Sequence, residues 1–230
     1  MSLRHINLTI IVAATPKNGI GKNGSLPWPM LKKEMAYFTR VTKRVPMPTN
    51  TGSVQSETLK QTILEGTRRN AVIMGRKTWE SIPPKFRPLK ERTNVVISSQ
   101  SREQLGDIPE DVVVAQDILS GLDSLDKLVQ DGKALPVGRA VVIGGSSVYE
   151  QALELPQTKH ILLTKINKIY ECDTFFPIEL ESDPSSQSQW RRKDVKELQD
   201  FVGEDVPEGL VSELAGDEKV DFEYQLYERS

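Results

Sequence analysis

The sequence predicts an α/β fold in which helices cover a largely parallel sheet, because short apolar runs alternate with helical patterns. The apolar runs are rich in valine and isoleucine and have the length of buried strands. They are Ile6 to Ala14, Ala71 to Met74, Asn94 to Ile97, Val112 to Ala115, Ala140 to Ile143 and Ile161 to Ile166. Helical patterns occupy Leu31 to Thr42, Leu119 to Val129 and Ser146 to Leu155. The strict alternation of Phe222 to Tyr227 predicts a strand with one wetter face, near an antiparallel edge.

The 230 residues are expected to form a single domain, residues 1–230. Residues 45–69 and 181–219 are polar and carry few apolar anchors, so both are predicted to be surface insertions. No apolar stretch reaches the roughly 20 residues of a membrane helix, and the first five residues lack the apolar core of a signal peptide. A cytoplasmic protein is therefore expected.

Cysteine, histidine and charge usage narrow the classes of site. The single Cys172 cannot form an internal disulfide, and two isolated histidines, His5 and His160, do not provide an ordinary zinc site, so no metal is expected. Between Arg68 and Arg92 there are eight basic and two acidic residues. This stretch favours anionic ligands, although a solvated basic surface is the alternative.

One carboxylate lies on the apolar side of the first predicted helix. At about 100° per residue, Leu31, Met35, Phe38 and Val41 share a stripe, and Glu34 falls inside it. A charged group there is costly unless it is paired or useful. Glu34 is either a rim residue that pairs with a lysine or caps a turn, or a carboxyl in an apolar cleft whose raised pKa suits proton transfer.

Glycine, hydroxyl and cationic residues follow three of the predicted strands. Ile143-Gly-Gly-Ser-Ser147 combines a strand end, a glycine break and a helix start, where exposed N–H groups favour an anion such as a pyrophosphate. A tight turn without a ligand is the alternative. Met74-Gly-Arg-Lys-Thr78 adds two cations, and Ser98 and Ser99 add hydroxyls, so an extended dinucleotide could be bound, with Arg76 and Lys77 matched to a 2′-phosphate. The pattern is not the GxGxxG of an ordinary Rossmann domain.

Taken together, these segments resemble the dihydrofolate reductase family in the order in which they occur. The resemblance is carried by Ile11-Val-Ala, Gly19-Ile-Gly-Lys-Asn-Gly-Ser-Leu-Pro-Trp28, the helix with Glu34 and Phe38, Val72-Ile-Met-Gly-Arg-Lys-Thr-Trp-Glu-Ser-Ile-Pro83, Arg87-Pro-Leu-Lys-Glu-Arg92, Ile143-Gly-Gly-Ser-Ser-Val-Tyr149, Thr164 and Asp173-Thr-Phe-Phe-Pro177. It implies a central eight-stranded mixed sheet, mostly parallel, flanked by helices, with an antiparallel C-terminal strand. It also implies hydride transfer from NADPH to C6 of 7,8-dihydrofolate and protonation of N5, which yields tetrahydrofolate.

The resemblance also implies roles for individual residues. Glu34 would hydrogen-bond the pterin and help deliver the proton, through an ordered water, and Trp28 and Thr164 would position its carboxylate and that water. Arg92 would bind the glutamate carboxylate of the substrate, although a surface cation is the alternative. The implied substrate site contains Ile11, Val12, Glu34, Met35, Phe38, Ile82, Phe86, Leu89, Arg92, Ile143 and Thr164.

For NADPH, the resemblance implies contacts at the glycine turns and along a loop that closes over the nicotinamide. The implied residues are Ala13, Gly19, Ile20, Gly21, Gly24, Ser25, Leu26, Gly75, Arg76, Lys77, Thr78, Ile97, Ser98, Ser99, Gly144, Gly145, Ser146, Ser147, Val148 and Tyr149. The bond between Gly144 and Gly145 is expected to be cis. For the loop from Gly19 to Trp28, a plain glycine-rich turn is the alternative to a mobile lid.

Three residues depart from the pattern of vertebrate family members. Met35 replaces a phenylalanine, which makes the ring pocket more adaptable and alters antifolate preference. Ser99 replaces an arginine that contacts the 2′-phosphate, which leaves more of the NADPH preference to Arg76. Phe86 stands where a polar residue is frequent near the glutamyl tail. The long insertions suggest a eukaryotic enzyme.

The expected partners are dihydrofolate and antifolate inhibitors, with no nucleic acid, no membrane and a monomeric state. One alternative is an NADPH-dependent reductase of a related pyrimidine or pterin, which should lack the combination of Glu34 and Arg92. The other is a non-catalytic ligand-binding or RNA-binding relative. The intact set of Glu34, Trp28 and Thr164 argues against it, and nucleic-acid motifs are absent.

Overall fold

A mixed sheet forms the centre of the computed structural model, which describes residues 2–46, 66–180 and 188–230. The strands of the described residues are β1 (Leu8–Ala14), β2 (Gly19–Gly21), β3 (Arg69–Gly75), β4 (Arg92–Ile97), β5 (Val113–Ala115), β6 (Val137–Val142), β7 (Thr158–Ile166), β8 (Thr174–Phe175), β9 (Trp190–Arg192), β10 (Val211–Ala215) and β11 (Glu218–Arg229). The main path runs β10-β11-β7-β1-β6-β3-β4-β5, and β9 pairs with β11 as a ninth strand. β2 and β8 form a separate two-stranded sheet.

The predicted eight-stranded, mostly parallel sheet is confirmed along this path. From β7 to β5 all neighbouring strands are parallel, whereas β11 pairs antiparallel with β7, β9 and β10. The described helices are α1 (Lys32–Lys43), α2 (Arg76–Ser81), α3 (Ile118–Gln130), α4 (Ser146–Glu154) and α5 (Val195–Val202), with 3₁₀ turns at Leu3–His5, Pro84–Phe86 and Glu103–Leu105. The three predicted helices correspond to α1, α3 and α4.

Both faces of the sheet are covered, as parallel strands require. Alternate residues of β1 point to opposite faces: Ile10 packs in a cluster with residues of α3 and α4, and Ile11 packs in a cluster with residues of α1 and α5. A smaller cluster joins Trp79 of α2 to Val72 and Met74 of β3. The core therefore lies in two layers, and the strand ends remain available for a site.

The C-terminal strand agrees with its prediction in place but not in burial. Residues Phe222 to Tyr227 lie in β11, next to the edge strand β10 and antiparallel to it, so a strand near an antiparallel edge is confirmed. The expected wetter face is wrong at Gln225, which is 2% exposed. Tyr227 of the same face packs in one cluster with Trp190 of β9, which alternation alone does not show.

The two predicted insertions have different outcomes. Most of residues 45–69 lies outside the described residues. Of residues 181–219, the described part includes β9, α5 and β10, and buries Trp190, Leu198 and Val202. This stretch thus has apolar anchors that its polar composition concealed. Within the described ranges, no helix is both long enough and apolar enough to cross a membrane.

Candidate active site

The carboxyl ends of the central parallel strands lie side by side and carry the predicted site. Val142 of β6 is in register with Ile10 of β1 and with Ile73 of β3, and Gly75 of β3 is in register with Ile97 of β4. Residues that follow parallel strands meet at one edge of the sheet, where ligands of such folds bind. Residues distant in the sequence are therefore brought to one edge.

Glu34 lies in the first turn of α1 with only 8% of its surface exposed. The hydroxyl of Thr164 donates a long hydrogen bond of 3.4 Å to Glu34 Oε1. Thr164 belongs to β7 and is in register with Ala13 of β1. A carboxyl of α1 is thus placed against the strand pair at the centre of the sheet.

The surroundings of Glu34 favour its neutral form. The pKa of Glu34 is raised to about 7: burial is the main cause, the Thr164 hydrogen bond partly opposes it, and the negative charge of Glu213 adds a smaller increase. Lys32 and Lys33 are exposed, and no ion pair involves Glu34 in the part of the chain that the structure describes. The interpretation of Glu34 as a rim residue paired with a lysine is therefore wrong. Near neutral pH this carboxyl can either donate or accept a proton.

Apolar residues predicted for the substrate site lie in two neighbouring clusters. Ile11 and Trp28 are buried in the cluster of α1, and Phe38 and Ala13 pack against it. Ile82 and Leu89 pack against the cluster of Trp79, and Ile143 contacts both clusters. One continuous apolar wall therefore runs along this face of the sheet.

Three predicted substrate residues are placed differently from this wall. The side chain of Val12 packs on the opposite face of the sheet with Ile10 and Ala14, since neighbouring strand residues alternate between faces. Phe86 is 57% exposed, and its ring faces the ammonium group of Lys85 at 4.8 Å. Met35 is half-buried on α1. Of these three residues, only Val12 lies on the side of the sheet opposite to Ile11.

Arg92 is a buried cation at the start of β4. Its Nε donates 2.9 Å to the carbonyl oxygen of Lys90, and its Nη1 donates 2.9 Å to the hydroxyl of Thr42 in the last turn of α1. Burial lowers the pKa of Arg92 to about 10, and no carboxylate forms an ion pair with it among the described residues. A desolvated guanidinium with donors left over is suited to a carboxylate of a ligand.

The two glycine turns form one site. The amide of Gly75 donates 2.7 Å to the carbonyl oxygen of Gly144, and the peptide bond between Gly144 and Gly145 is cis, as predicted. A side chain at Gly144 would be strained at its φ of 110° and would meet the Tyr149 hydroxyl at 3.1 Å. A Cβ atom at Gly75 would approach Val148 Cγ2 to 3.1 Å. The turns thus need glycine to pack on each other and on α4.

The start of α4 provides unoccupied hydrogen-bond donors. Its N-cap is Gly145, which has no side chain to cap the first turn, and Ser146 and Ser147 follow. The Ser146 hydroxyl donates 2.6 Å to the carbonyl oxygen of Phe175. The geometry of these residues fits the phosphates of a dinucleotide, because uncapped N–H groups at a helix start attract anions.

The predicted cations and hydroxyls for a 2′-phosphate follow β3 and β4. Arg76 pairs with Glu80 at 2.9 Å, and Lys77 is exposed. Ser98 accepts a hydrogen bond of 3.0 Å from the amide of Gln100, and Ser99 is exposed. Glu80 therefore holds Arg76 in an ion pair, and an anionic ligand would have to compete with it.

The predicted loop from Gly19 to Trp28 is attached to the segment that contains β8. β2 pairs with β8, and the amide of Asn23 donates 2.7 Å to Asp173 Oδ2. Gly19 packs so closely on Cys172 that an added Cβ atom would lie 2.2 Å from its Sγ. Gly24, with a φ of 75°, lies with Ser25 and Leu26 on the exposed tip. Closure of this loop over a ligand stays a prediction.

Two contacts near the site were not predicted. The hydroxyl of Tyr149 donates 2.8 Å to the carbonyl oxygen of Ile11, which links α4 to β1. Glu213 of β10 accepts hydrogen bonds from the amides of Lys32 and Lys33 at the start of α1. Neither contact has a local signal in the sequence, because each joins residues more than 130 positions apart. A cavity of about 330 Å³ between α5 and β11 contains none of the predicted site residues.

Comparisons with known proteins agree with this arrangement. A family model described as dihydrofolate reductase matches residues 57–202. The chain is 41% identical to a dihydrofolate reductase of Schizosaccharomyces pombe over 96% of its own length, but spans only 46% of that protein. It is 37% identical to a dihydrofolate reductase of Pneumocystis carinii, with 97% of both chains covered.

A solved structure is also similar. It is the dihydrofolate reductase of Schistosoma mansoni, which is 30% identical to this chain, has a TM-score of 0.69 and covers 98% of this chain and 100% of its own. The family model matches more than half of the chain, and the Pneumocystis carinii relative is matched along nearly its full length. The chain therefore belongs to the dihydrofolate reductase family.

Proposed function

We propose that this chain reduces 7,8-dihydrofolate to 5,6,7,8-tetrahydrofolate and thereby supports one-carbon metabolism. Family membership supports the reaction, and one observation carries the mechanism: Glu34 is a buried carboxyl whose pKa lies near 7 at the carboxyl ends of the central strands. NADPH, when bound, supplies the hydride that adds to C6. The protein has to bind both molecules, orient them and provide a proton for N5.

In this proposal Glu34 binds the 2-amino group and N3 of the pterin. The contact with Thr164 sets the orientation of the carboxyl, and Trp28 closes the apolar side of the site. The proton for N5 comes through an ordered water that Glu34 polarises. The cost of burying the carboxyl is offset when the substrate supplies the missing hydrogen-bond partners.

Arg92 is proposed to bind the glutamate carboxylate of the substrate. Its buried guanidinium keeps donors free after its bonds to Thr42 and Lys90, and a planar fork of donors matches a carboxylate in bidentate geometry. The apolar wall of Ile11, Phe38 and Leu89 then packs against the ring system between the two polar ends.

NADPH is proposed to bind across the joined glycine turns. Gly75, Gly144 and the start of α4 hold the pyrophosphate, and Arg76 with Lys77 binds the 2′-phosphate. These residues fit the group because no side chain caps the first turn of α4, so its N–H groups can bind a phosphate. Loop residues from Gly19 to Leu26 are proposed to exclude water from the nicotinamide.

We also propose that the enzyme is a single-domain monomer in the cytoplasm. The single cysteine means that no internal disulfide has to form. Fractionation of cells and light scattering of the purified chain test these expectations.

The test of the proposed function follows NADPH absorbance with dihydrofolate for the wild type and Glu34→Gln. We expect kcat of the variant to fall by about 10²- to 10⁴-fold, the usual contribution of a positioned acid. The exposed Glu110→Gln serves as a charge-matched control and should match the wild type. The wild-type rate should decrease as pH rises through 7, because Glu34 then loses its proton.

Two outcomes would contradict the proposal. Equal rates for wild type and Glu34→Gln would exclude the assigned mechanism. Oxidation of NADPH with a related pyrimidine but not with dihydrofolate would exclude the assigned substrate.

A further inference from the structure

The helix that carries Glu34 begins without a cap of its own. Leu31 is the N-cap of α1, and its side chain has no atom that can accept a hydrogen bond. The first amides of a helix need acceptors from elsewhere. Here Glu213 Oε1 accepts 2.6 Å from the amide of Lys32, and Glu213 Oε2 accepts 2.9 Å from the amide of Lys33.

Glu213 is a buried residue and not a surface charge. Its side chain is 8% exposed, and its residue lies in β10, in register with Val220 of β11. The Nζ of Lys33 also donates 3.0 Å to the carbonyl oxygen of Ser212. A buried carboxylate that accepts two backbone hydrogen bonds at the positive end of a helix dipole forms a strong, directional contact.

The residue after these two amides is Glu34. A shift of the first turn of α1 would move its carboxyl relative to Thr164, whose hydrogen bond is already long at 3.4 Å. The carboxylate of Glu213 thus holds the backbone at the one turn on which the position of the Glu34 side chain depends.

The charge of Glu213 acts in the same direction as burial. It raises the pKa of Glu34, which favours the protonated form. The phenols of Tyr37, Tyr149 and Tyr224 also interact with Glu34, but burial raises their pKa values, so they are neutral at pH 7. Lys32 and Lys33 of α1 are exposed to solvent. Among the described residues, Glu213 is the charged group that raises the pKa of Glu34.

We propose that Glu213 is a positioning residue for Glu34: its carboxylate holds the first turn of α1 and thereby sets the position of the Glu34 carboxyl. The catalytic part of this inference rests on the proposed function, whereas the contact itself does not. A purely structural cap is the competing explanation, and it predicts lower stability with unchanged chemistry.

The experiment compares the wild type with Glu213→Gln and Glu213→Asp. Glutamine removes the charge and one of the two acceptors, whereas aspartate keeps the charge on a shorter side chain. Asp217→Asn is the control, because it removes an exposed negative charge from the turn between β10 and β11. Three quantities are measured: hydrogen exchange of the Lys32 and Lys33 amides, titration of the Glu34 carboxyl by carbon NMR, and the pH profile of kcat with dihydrofolate.

For Glu213→Gln we expect faster exchange at both amides, a titration midpoint of Glu34 that moves to lower pH, and kcat about tenfold lower with KM for NADPH unchanged. The pH at which kcat declines should move down together with the midpoint. Glu213→Asp should restore the wild-type midpoint while recovering only part of kcat. Asp217→Asn should behave as the wild type in all three measurements.

Unchanged titration and an unchanged pH profile in a folded, less stable Glu213→Gln would overturn the proposal in favour of a structural cap. If Glu213→Gln does not fold, a Glu213→Asp variant with wild-type kcat and wild-type amide exchange would overturn it as well. Absence of dihydrofolate reduction by the wild type would reject the proposed function alone. The exchange and the Glu34 titration would then still decide whether Glu213 holds α1 and acts on Glu34.

Discussion

The two ends of the candidate site use charge in opposite ways. At the substrate end, Glu34 and Arg92 are each 8% exposed, and burial shifts the pKa of both toward the neutral form. At the cofactor end, Arg76 keeps 36% of its side chain exposed and is paired with Glu80. Both ends are predicted to bind charged or polar groups of a ligand. Only the substrate end is predicted to do so with buried charged side chains.

The difference teaches where single residues should matter. A buried charged group that forms no ion pair within the protein completes its hydrogen bonds only when the ligand is present, so its removal costs the full interaction and salt screens it little. An exposed cation shares its role with neighbours and competes with water and with its own ion pair. Substrate binding should therefore depend on individual residues, whereas cofactor binding should depend on the combined contribution of several residues.

Among the effects on binding, the largest is expected for Arg92→Lys. Lysine lacks the planar fork of donors, so KM for dihydrofolate should rise by about 10- to 100-fold, equivalent to the roughly 1.5–3 kcal/mol of a charged hydrogen bond. Steady-state kinetics at low and high salt measure it, with the exposed Arg69→Lys as the control. A loss of kcat at unchanged KM would place Arg92 outside substrate binding.

An effect on stability rather than on binding is expected for Glu34→Gln. The folded-state pKa of Glu34 is raised from 4.5 to about 7, so its contribution to stability is fully present below pH 4.5 and is lost as pH rises through 7. The free energy of unfolding of the variant should exceed that of the wild type by about 3 kcal/mol at pH 8, and by much less at pH 5. Urea denaturation at both pH values measures the difference. If the variant and the wild type differed equally in free energy of unfolding at pH 5 and pH 8, burial would not raise the pKa of Glu34.

The smallest effect is expected for Arg76→Ala. Affinity for NADPH should fall by about tenfold at low salt, and less at high salt, because the exposed guanidinium is screened. Affinity for NADH should change little. Glu80→Gln is the matched variant, since it frees Arg76 from its ion pair and should strengthen NADPH binding. Equal losses for NADPH and NADH would mean that Arg76 does not face the 2′-phosphate.

The sequence predicted those parts of the fold whose residues carry a periodic signal. The central strands and α1, α3 and α4 were found because their apolar residues repeat at the spacing of buried strands and of helix faces. The unusual position of Glu34 was visible for the same reason, as a carboxyl within an apolar stripe. The cis bond between Gly144 and Gly145 followed from the family resemblance.

The remainder depends on contacts that no local pattern encodes. β2 and β8 have only three and two residues, too few to show a period. The start of α5 has a local sequence signal, the capping box of Asp194 and Glu197. The charged residues around it nevertheless favour a surface insertion. In the sequence, Glu213 has no feature that distinguishes it from an exposed glutamate. The fold of β10 brings it against the amide of Lys32, which is 181 positions away in the sequence.

The position of β1 in the sheet has a consequence for how the chain reaches this structure. β1 precedes the other strands of this sheet in the sequence, yet it lies between β6 and β7, and Leu8 pairs with Ala140 and Thr158. At a translation rate of about 5–20 residues per second, its apolar residues wait about 8–30 s for these partners. Folding that depends on such distant pairing is slow and exposes an aggregation-prone strand meanwhile. The nascent chain should therefore depend on protection of β1 until β7 has left the ribosome.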